Sequence, residues 1–288
     1  MIEEFENGTL PAEEKWKAHI DELRKKTAES TKEQVKKALI NAVEKRVPKE
    51  KFGLFLSGGV DSSLLALILK KFTDDFVCYS VGIKGSKDLE AAKYAAEKLK
   101  LNWKHKEFTI EEAEPILKKT AAMFEKPDVI NVGVGSVVVA AAELADVKIF
   151  FGGLGSEEIF AGYQRHAHAN DVNDECWKGM KEMWARDLAR DATLGEKLGI
   201  SVRVPFLDDE LIIKAMGIAG ERKINSEHKK VILREIAEEL GLPKEIAWRQ
   251  KQAAQYGSGF DKAMEKLAKR AGMSKSEYVK TLANRAKN

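Results

Sequence analysis

The sequence predicts an α/β protein: a parallel sheet flanked by helices, followed by a mostly helical C-terminal region. Three observations carry that expectation. Short apolar runs of strand length alternate with helical segments through the first half of the chain. Two of those runs, FGLFLSGG from Phe52 and KIFFGGLG from Lys148, pass straight into glycines. Beyond about residue 170 helical spacing takes over.

At 288 residues the chain can bury a large core. Its 49 basic and 46 acidic residues leave a net charge of only +3, which argues against a general nucleic-acid-binding surface. Cys78 and Cys176 form no CxxC or disulfide framework, so reduced thiols in a cytoplasmic protein are expected. The N-terminal MIEEFENGTLPAEEKW is acidic and lacks the apolar stretch of a signal peptide. The longest apolar passage, VINVGVGSVVVAAAELA, is broken by Asn131, Ser136 and Glu143 and reads as a buried element rather than a membrane span.

Residues 1–30 read as an N-terminal extension. TKEQVKKALINAVEKR (31–46) places Val35, Leu39, Ala42 and Val43 on one helical stripe, and Pro48 ends it. FGLFL (52–56) is short enough for a buried strand, and SLLALILKKF continues as a helix. FVCYSVGI, then DLEAAKYAAEKLK, then KHKEFTI repeat the order strand, helix, strand. PDVINVGVGSVVVAAAELADV reads as a loop entering a helix, and KIFFGGLG as a strand. The α/β core is thus placed at 31–170. The helical region at 171–288, with CWKGMKEMWARDLARDATLGEKLG and HKKVILREIAEELG its clearest helices, is expected to complete the active site.

In LSGGVDSS, Gly58 and Gly59 clear side chains where the backbone turns, so that successive N–H groups can converge on an anion. Ser57, Ser62 and Ser63 add short hydroxyls, and the start of a helix favours phosphate. Asp61 would repel a phosphate unless Mg²⁺ lay between them, held by oxygen ligands. The spacing is neither GxxxxGK[ST] nor GxGxxG. A tight turn capped by Asp and Ser is the plain structural alternative.

SGGVDSS resembles the SGGxDS loop of the ATP pyrophosphatases, the adenine-nucleotide α-hydrolase enzymes. The likeness extends to the synthase domain of asparagine synthetases. YSVGIKGSKDLEAAKYAAEKL is similar to its second strand and helix, and GGLGSEEIFAGY to its SGEGSDExFGGY segment. LGISVRVPFLDDEL resembles GxExRxPFLD, and the closing stretch carries the family's lysine, ILR, LP and WRxK features. The resemblance implies ATP and Mg²⁺ as cofactors and an adenylated carboxylate that a nitrogen nucleophile displaces, with release of AMP and pyrophosphate. It places Ser80, Val81 and Gly82 near adenine and ribose, Gly153 beside the nucleotide, and Asp61 and Glu157 on Mg²⁺. Lys230 would stabilise the charge growing at the α-phosphate, Arg249 and Lys251 would close over the phosphates, and Arg203 would support the site through Asp208. Glu125, Asp128, Leu154 and Tyr163 would border the substrate.

Four departures qualify the resemblance. Glu157 stands where the family has aspartate, and Gly152 where it has serine. Leu154 replaces a glutamate at the substrate site and can accept no proton, so a different acceptor or nucleophile is expected. Ile2 stands where these synthetases begin with a glutaminase cysteine, so ammonia or an amine would come from solution or from a separate glutaminase. The Glu157-Glu158 pair also suits the first turn of a helix that Ser156 could cap. An RNA base-modifying ATP pyrophosphatase and a nucleotide-binding regulatory protein remain alternatives. The first lacks a CxxC pair, and the second does not explain Asp61, Glu157 and Lys230 together.

Overall fold

The computed structural model describes residues 1–250 and 253–284. Five strands form one sheet: β1 (Phe52–Phe55), β2 (Phe76–Ile83), β3 (Trp103–Phe108), β4 (Ile149–Phe151) and β5 (Ser201–Arg203). Their order is β3-β2-β1-β4-β5, and every pair is parallel. β1 and β2 are buried along most or all of their length, as expected of strands covered by helices on both faces. Alternate side chains feed two cores. Phe151, Leu54 and Cys78 join the cluster on one face; Phe150, Val77 and Tyr79 join the cluster on the other. Ring stacking of Phe55 on Phe150 (centroids 4.5 Å apart) reinforces the centre of the second face.

The chain runs outward through β1, β2 and β3, then returns to lay β4 on the other side of β1. That reversal creates a switch point between β1 and β4, where a crevice opens beyond the carboxyl ends of the strands. The two glycine segments leave the sheet there.

As the sequence reading expects, a loop enters one helix, Val129–Leu144, with Asp128 at its N-cap. Within residues 1–30, helix Glu13–Lys26 buries Trp16, Ile20 and Leu23. The region beyond 170 supplies β5, so it shares the sheet with the core. The long helix expected over 176–199 is interrupted by a π-helical turn, Trp184–Leu188, between Val172–Met183 and Ala189–Leu198. No helix among the described residues is long and apolar enough to cross a membrane. Cys78 and Cys176 are buried, and burial pushes their thiols up to about 12 and about 11, away from thiolate reactivity.

Candidate active site

β1 ends at Phe55, and the chain turns through Ser57 to Gly59 into helix Val60–Leu69. Gly58 adopts φ +68°, and a Cβ there would fall 2.2 Å from the backbone carbonyl carbon of Ala91. The turn is tied by the Ser62 hydroxyl, which accepts from the Ser57 N–H (3.1 Å) and lies 3.2 Å from the Ser57 hydroxyl. Asp61 sits in the first turn of the helix, 3 % exposed. β4 leads through Gly152 and Gly153 into the short helix Ser156–Ile159, which carries Glu157 and Glu158.

Lys230 joins these two segments. It sits at the N-cap of helix Val231–Glu239 in the left-handed region, φ +58°, a conformation that a lysine adopts only at a cost. Its ammonium donates to both Asp61 oxygens (2.8 and 3.0 Å) and to the Ser156 hydroxyl (3.1 Å), and pairs with Glu157 Oε1 at 2.8 Å. Burial disfavours that charge, but the Asp61 and Glu157 carboxylates outweigh it and hold the lysine above its ordinary value. Ser156 therefore anchors Lys230 instead of capping its helix, whose N-cap is Gly155.

Two carboxylates that reach one nitrogen can reach one cation. With phosphate oxygens and water they match the usual Mg²⁺ donor set of one or two carboxylates plus substrate phosphates, so Asp61 and Glu157 fit the ion that the resemblance implies. No group of three or more His, Cys, Asp or Glu side chains fit to hold a metal occurs among the described residues.

The Asp61–Glu157 pair stands between two cavities. The first, about 290 Å³, has Ser57, Ser62, Ser80, Val81, Gly153 and Leu154 on its wall, together with Val134, Val137 and Val138. The second, about 460 Å³, is bordered by Tyr163, Gln164, His228, Lys229, Lys230 and Arg234. Ser80 has its hydroxyl committed: it donates to the Leu56 carbonyl (2.6 Å) and accepts from the Trp103 indole (2.8 Å). Gly58, Gly59 and Ser63 shape the turn behind the wall, and Gly82 packs against Ser86 and Ser258.

Other expected residues lie apart. Glu125 and Asp128 border neither cavity; Asp128 accepts from the Ile130 and Asn131 N–H groups at 2.8 and 2.9 Å. Arg249 donates to Asp88 (3.0 Å) and to the Lys87 carbonyl (3.2 Å). Lys251 lies outside the described residues. Among the described residues Asp208 is paired not with Arg203 but with Arg46 (2.9 Å), which also holds Glu6 at 2.7 Å, and Arg203 reaches Asn7 and Glu6, at 3.5 and 3.8 Å. The reason is geometric: Arg203 ends a strand beside the N-terminal helix, whereas Arg46 follows the helix packed under Pro205–Leu207.

Sequence reasoning missed an ion-paired ladder beside the site. Arg186 donates to Glu158 (2.6 Å), Asp187 (2.7 Å) and the Tyr163 hydroxyl (3.3 Å), while Arg190 holds Asp187 (3.1 Å) and Asp191 (2.7 Å). Arg190 and Asp191 border the first cavity. Burial, then the Asp187 charge, pushes Glu158 up to about 7 in spite of Arg186. The signal was the doubled Arg-Asp of WARDLARD, whose spacing of four puts both pairs on one helical face.

A parallel sheet with a paired-carboxylate and lysine site at its switch point belongs to the open α/β class that binds ligands in that crevice. The model of the asparagine synthase family matches residues 34–181 and 167–286, and the chain belongs to that family. It is 32% identical to the putative asparagine synthetase [glutamine-hydrolyzing] 1 of Methanocaldococcus jannaschii, over 90% of this chain and 55% of that protein. It is 29% identical to asparagine synthetase B [glutamine-hydrolyzing] of Escherichia coli, over 80% of this chain and 45% of that one. The chain thus spans about half the length of these curated relatives. An NMN synthetase structure from Francisella tularensis aligns with 89% of this chain and 94% of its own, at 15% identity and a TM-score of 0.43. Family membership points to ATP-dependent ligase chemistry related to asparagine synthetase.

Proposed function

We propose that the chain is a carbon–nitrogen ligase that joins a carboxylate to ammonia or an amine through an acyl-adenylate. A carboxylate oxygen attacks the α-phosphorus of ATP, the bond to the β-phosphate oxygen breaks, and pyrophosphate leaves. The nitrogen nucleophile then attacks the acyl carbon, AMP departs, and the nucleophile loses a proton to complete the amide. The convergence of Asp61, Glu157 and Lys230 on one point between two cavities carries this reading.

Mg²⁺ held by Asp61 and Glu157 would neutralise the pyrophosphate as it leaves. Lys230 is placed to meet the negative charge that grows on the phosphates, a charge larger in the transition state than in bound ATP. The serine-lined turn orients the phosphates. Leu154 puts an aliphatic group where a carboxylate would bind an ammonium or take its proton, so aspartate with ammonia should be a poor pair.

Incubation with ATP, Mg²⁺ and a panel of carboxylates and amines, with products resolved by mass, tests this. AMP, pyrophosphate and an amide are expected, with the best pair differing from aspartate and ammonia. ADP as the sole nucleotide product would overturn the cleavage point. Efficient asparagine formation, unmatched by any other pair, would overturn the acceptor reading alone.

A further inference from the structure

The wall of the first cavity carries two polar groups, Ser258 and Asp88, that the proposed phosphate chemistry does not use. Ser258, 2 % exposed, borders the cavity, and among the described residues its buried hydroxyl has no hydrogen-bond partner. A buried hydroxyl left unpaired costs stability unless a ligand completes it. Asp88, in the first turn of helix Lys87–Leu99, is 5 % exposed and borders the same cavity.

Both groups are held rigidly. The Ser258 carbonyl accepts from the Ile83 N–H at the end of β2 (2.8 Å), and its own N–H donates to the Ala254 carbonyl (3.0 Å). Gly257 lets this strap close on Asp88: a Cβ there would fall 2.2 Å from Asp88 Oδ2. Arg249 grips Oδ1 at 3.0 Å, which keeps the carboxylate oriented.

We infer that Asp88 and Ser258 read a hydrogen-bond donor on the nucleoside half of ATP. This rests on the proposed function, since it takes the phosphates to lie at Asp61 and Ser57. From there the ligand would run one strand over, past Val81, to the end of β2. An ionised carboxylate can only accept, so the group it meets must donate. A nucleoside offers two such sources: the ribose hydroxyls and the exocyclic amine of adenine. In nucleotide-binding α/β sheets of another kind, an acidic residue beyond the second strand takes the ribose hydroxyls by the same logic.

Calorimetric binding of ATP, 2′-deoxy-ATP, 3′-deoxy-ATP and purine riboside triphosphate, which lacks the amine, to the full chain tests the inference. Wild type should lose about tenfold in affinity for at least one analogue that lacks a donor. Loss with the deoxy forms assigns the ribose; loss with the purine riboside assigns the base. In Asp88→Asn and Ser258→Ala, that discrimination should shrink to about threefold or less. Ser258→Ala removes only an unpaired hydroxyl, so its fold should survive even if Asp88→Asn, which weakens the hold of Arg249, does not. A merely structural role would change affinity for all four ligands alike. Undiminished discrimination in Ser258→Ala, or none in wild type that binds ATP, overturns the inference and leaves the ligase reading standing. If wild type binds no adenine nucleotide, the ligase reading falls, and this inference with it.

Discussion

Lys223 and Lys230 are both buried, and their surroundings push them in opposite directions. Lys230 faces two carboxylates and is held charged. The Lys223 ammonium finds the Met216 sulfur at 3.6 Å, and burial lowers it from 10.5 to about 8. Between pH 8 and 10.5 the folded protein therefore binds fewer protons at Lys223 than the unfolded chain does, so this lysine makes stability rise with pH across that window. Below pH 8 its full cost is present. Lys223→Met should stabilise the fold at pH 7, by up to roughly 3 kcal/mol, and flatten the rise above pH 8. Urea unfolding of both proteins at pH 7 and pH 9.5 measures it; a variant less stable at pH 7 would refute the assignment. Local composition does not separate the two lysines, because EHKK and RKIN are alike as charge clusters. What separates the two lysines is whether a carboxylate arrives from a distant segment.

At the scale of elements, helix ends account for what was read well and what was not. The two glycine segments were legible because a strand, a sharp turn and a helix start leave a local trace in residue type. The ladder at 186–191 was not, because Arg-Asp pairs on an ordinary helix would face water. Here the π turn Trp184–Leu188 sits in a helix packed beside the site, and the pairs turn inward. Asp128 shows the converse. The resemblance puts Asp128 at the substrate border, and the structure shows its carboxylate capping Val129–Leu144. Asp128→Ala should cost about 1 kcal/mol of stability, as loss of an N-cap does, and leave acceptor preference unchanged. Denaturant titration and product analysis of the variant decide it. Altered preference at unchanged stability would return Asp128 to the substrate site.

For the whole molecule, strand and helix order was readable from local pattern, and with it the parallel sheet. The strand order was not, because no local signal tells β4 to return beside β1 or β5 to join from beyond residue 170. The site depends on that return. It sets the turn after β1 next to the turn after β4, and helix Val231–Glu239 then delivers Lys230 to both. The N-terminal segment takes part too, through Glu6, which accepts from Arg46 and from the Val204 N–H at 2.7 Å each.

The bond from Lys230 to Asp61 spans 169 residues of chain, and that from Arg249 to Asp88 spans 161. β2 and β3, by contrast, are joined by one short helix. Closing a long span costs more chain entropy and comes later than pairing near neighbours, and a chain of this length commonly folds through intermediates. The sheet should therefore exist before the site does. In refolding from denaturant, amide protection in β2 and β3 should appear ahead of the ability to bind an ATP analogue. Binding that emerges together with the first protected strands would contradict this. Until the last third of the polypeptide is in place, the protein has a fold in progress and no place to hold a nucleotide.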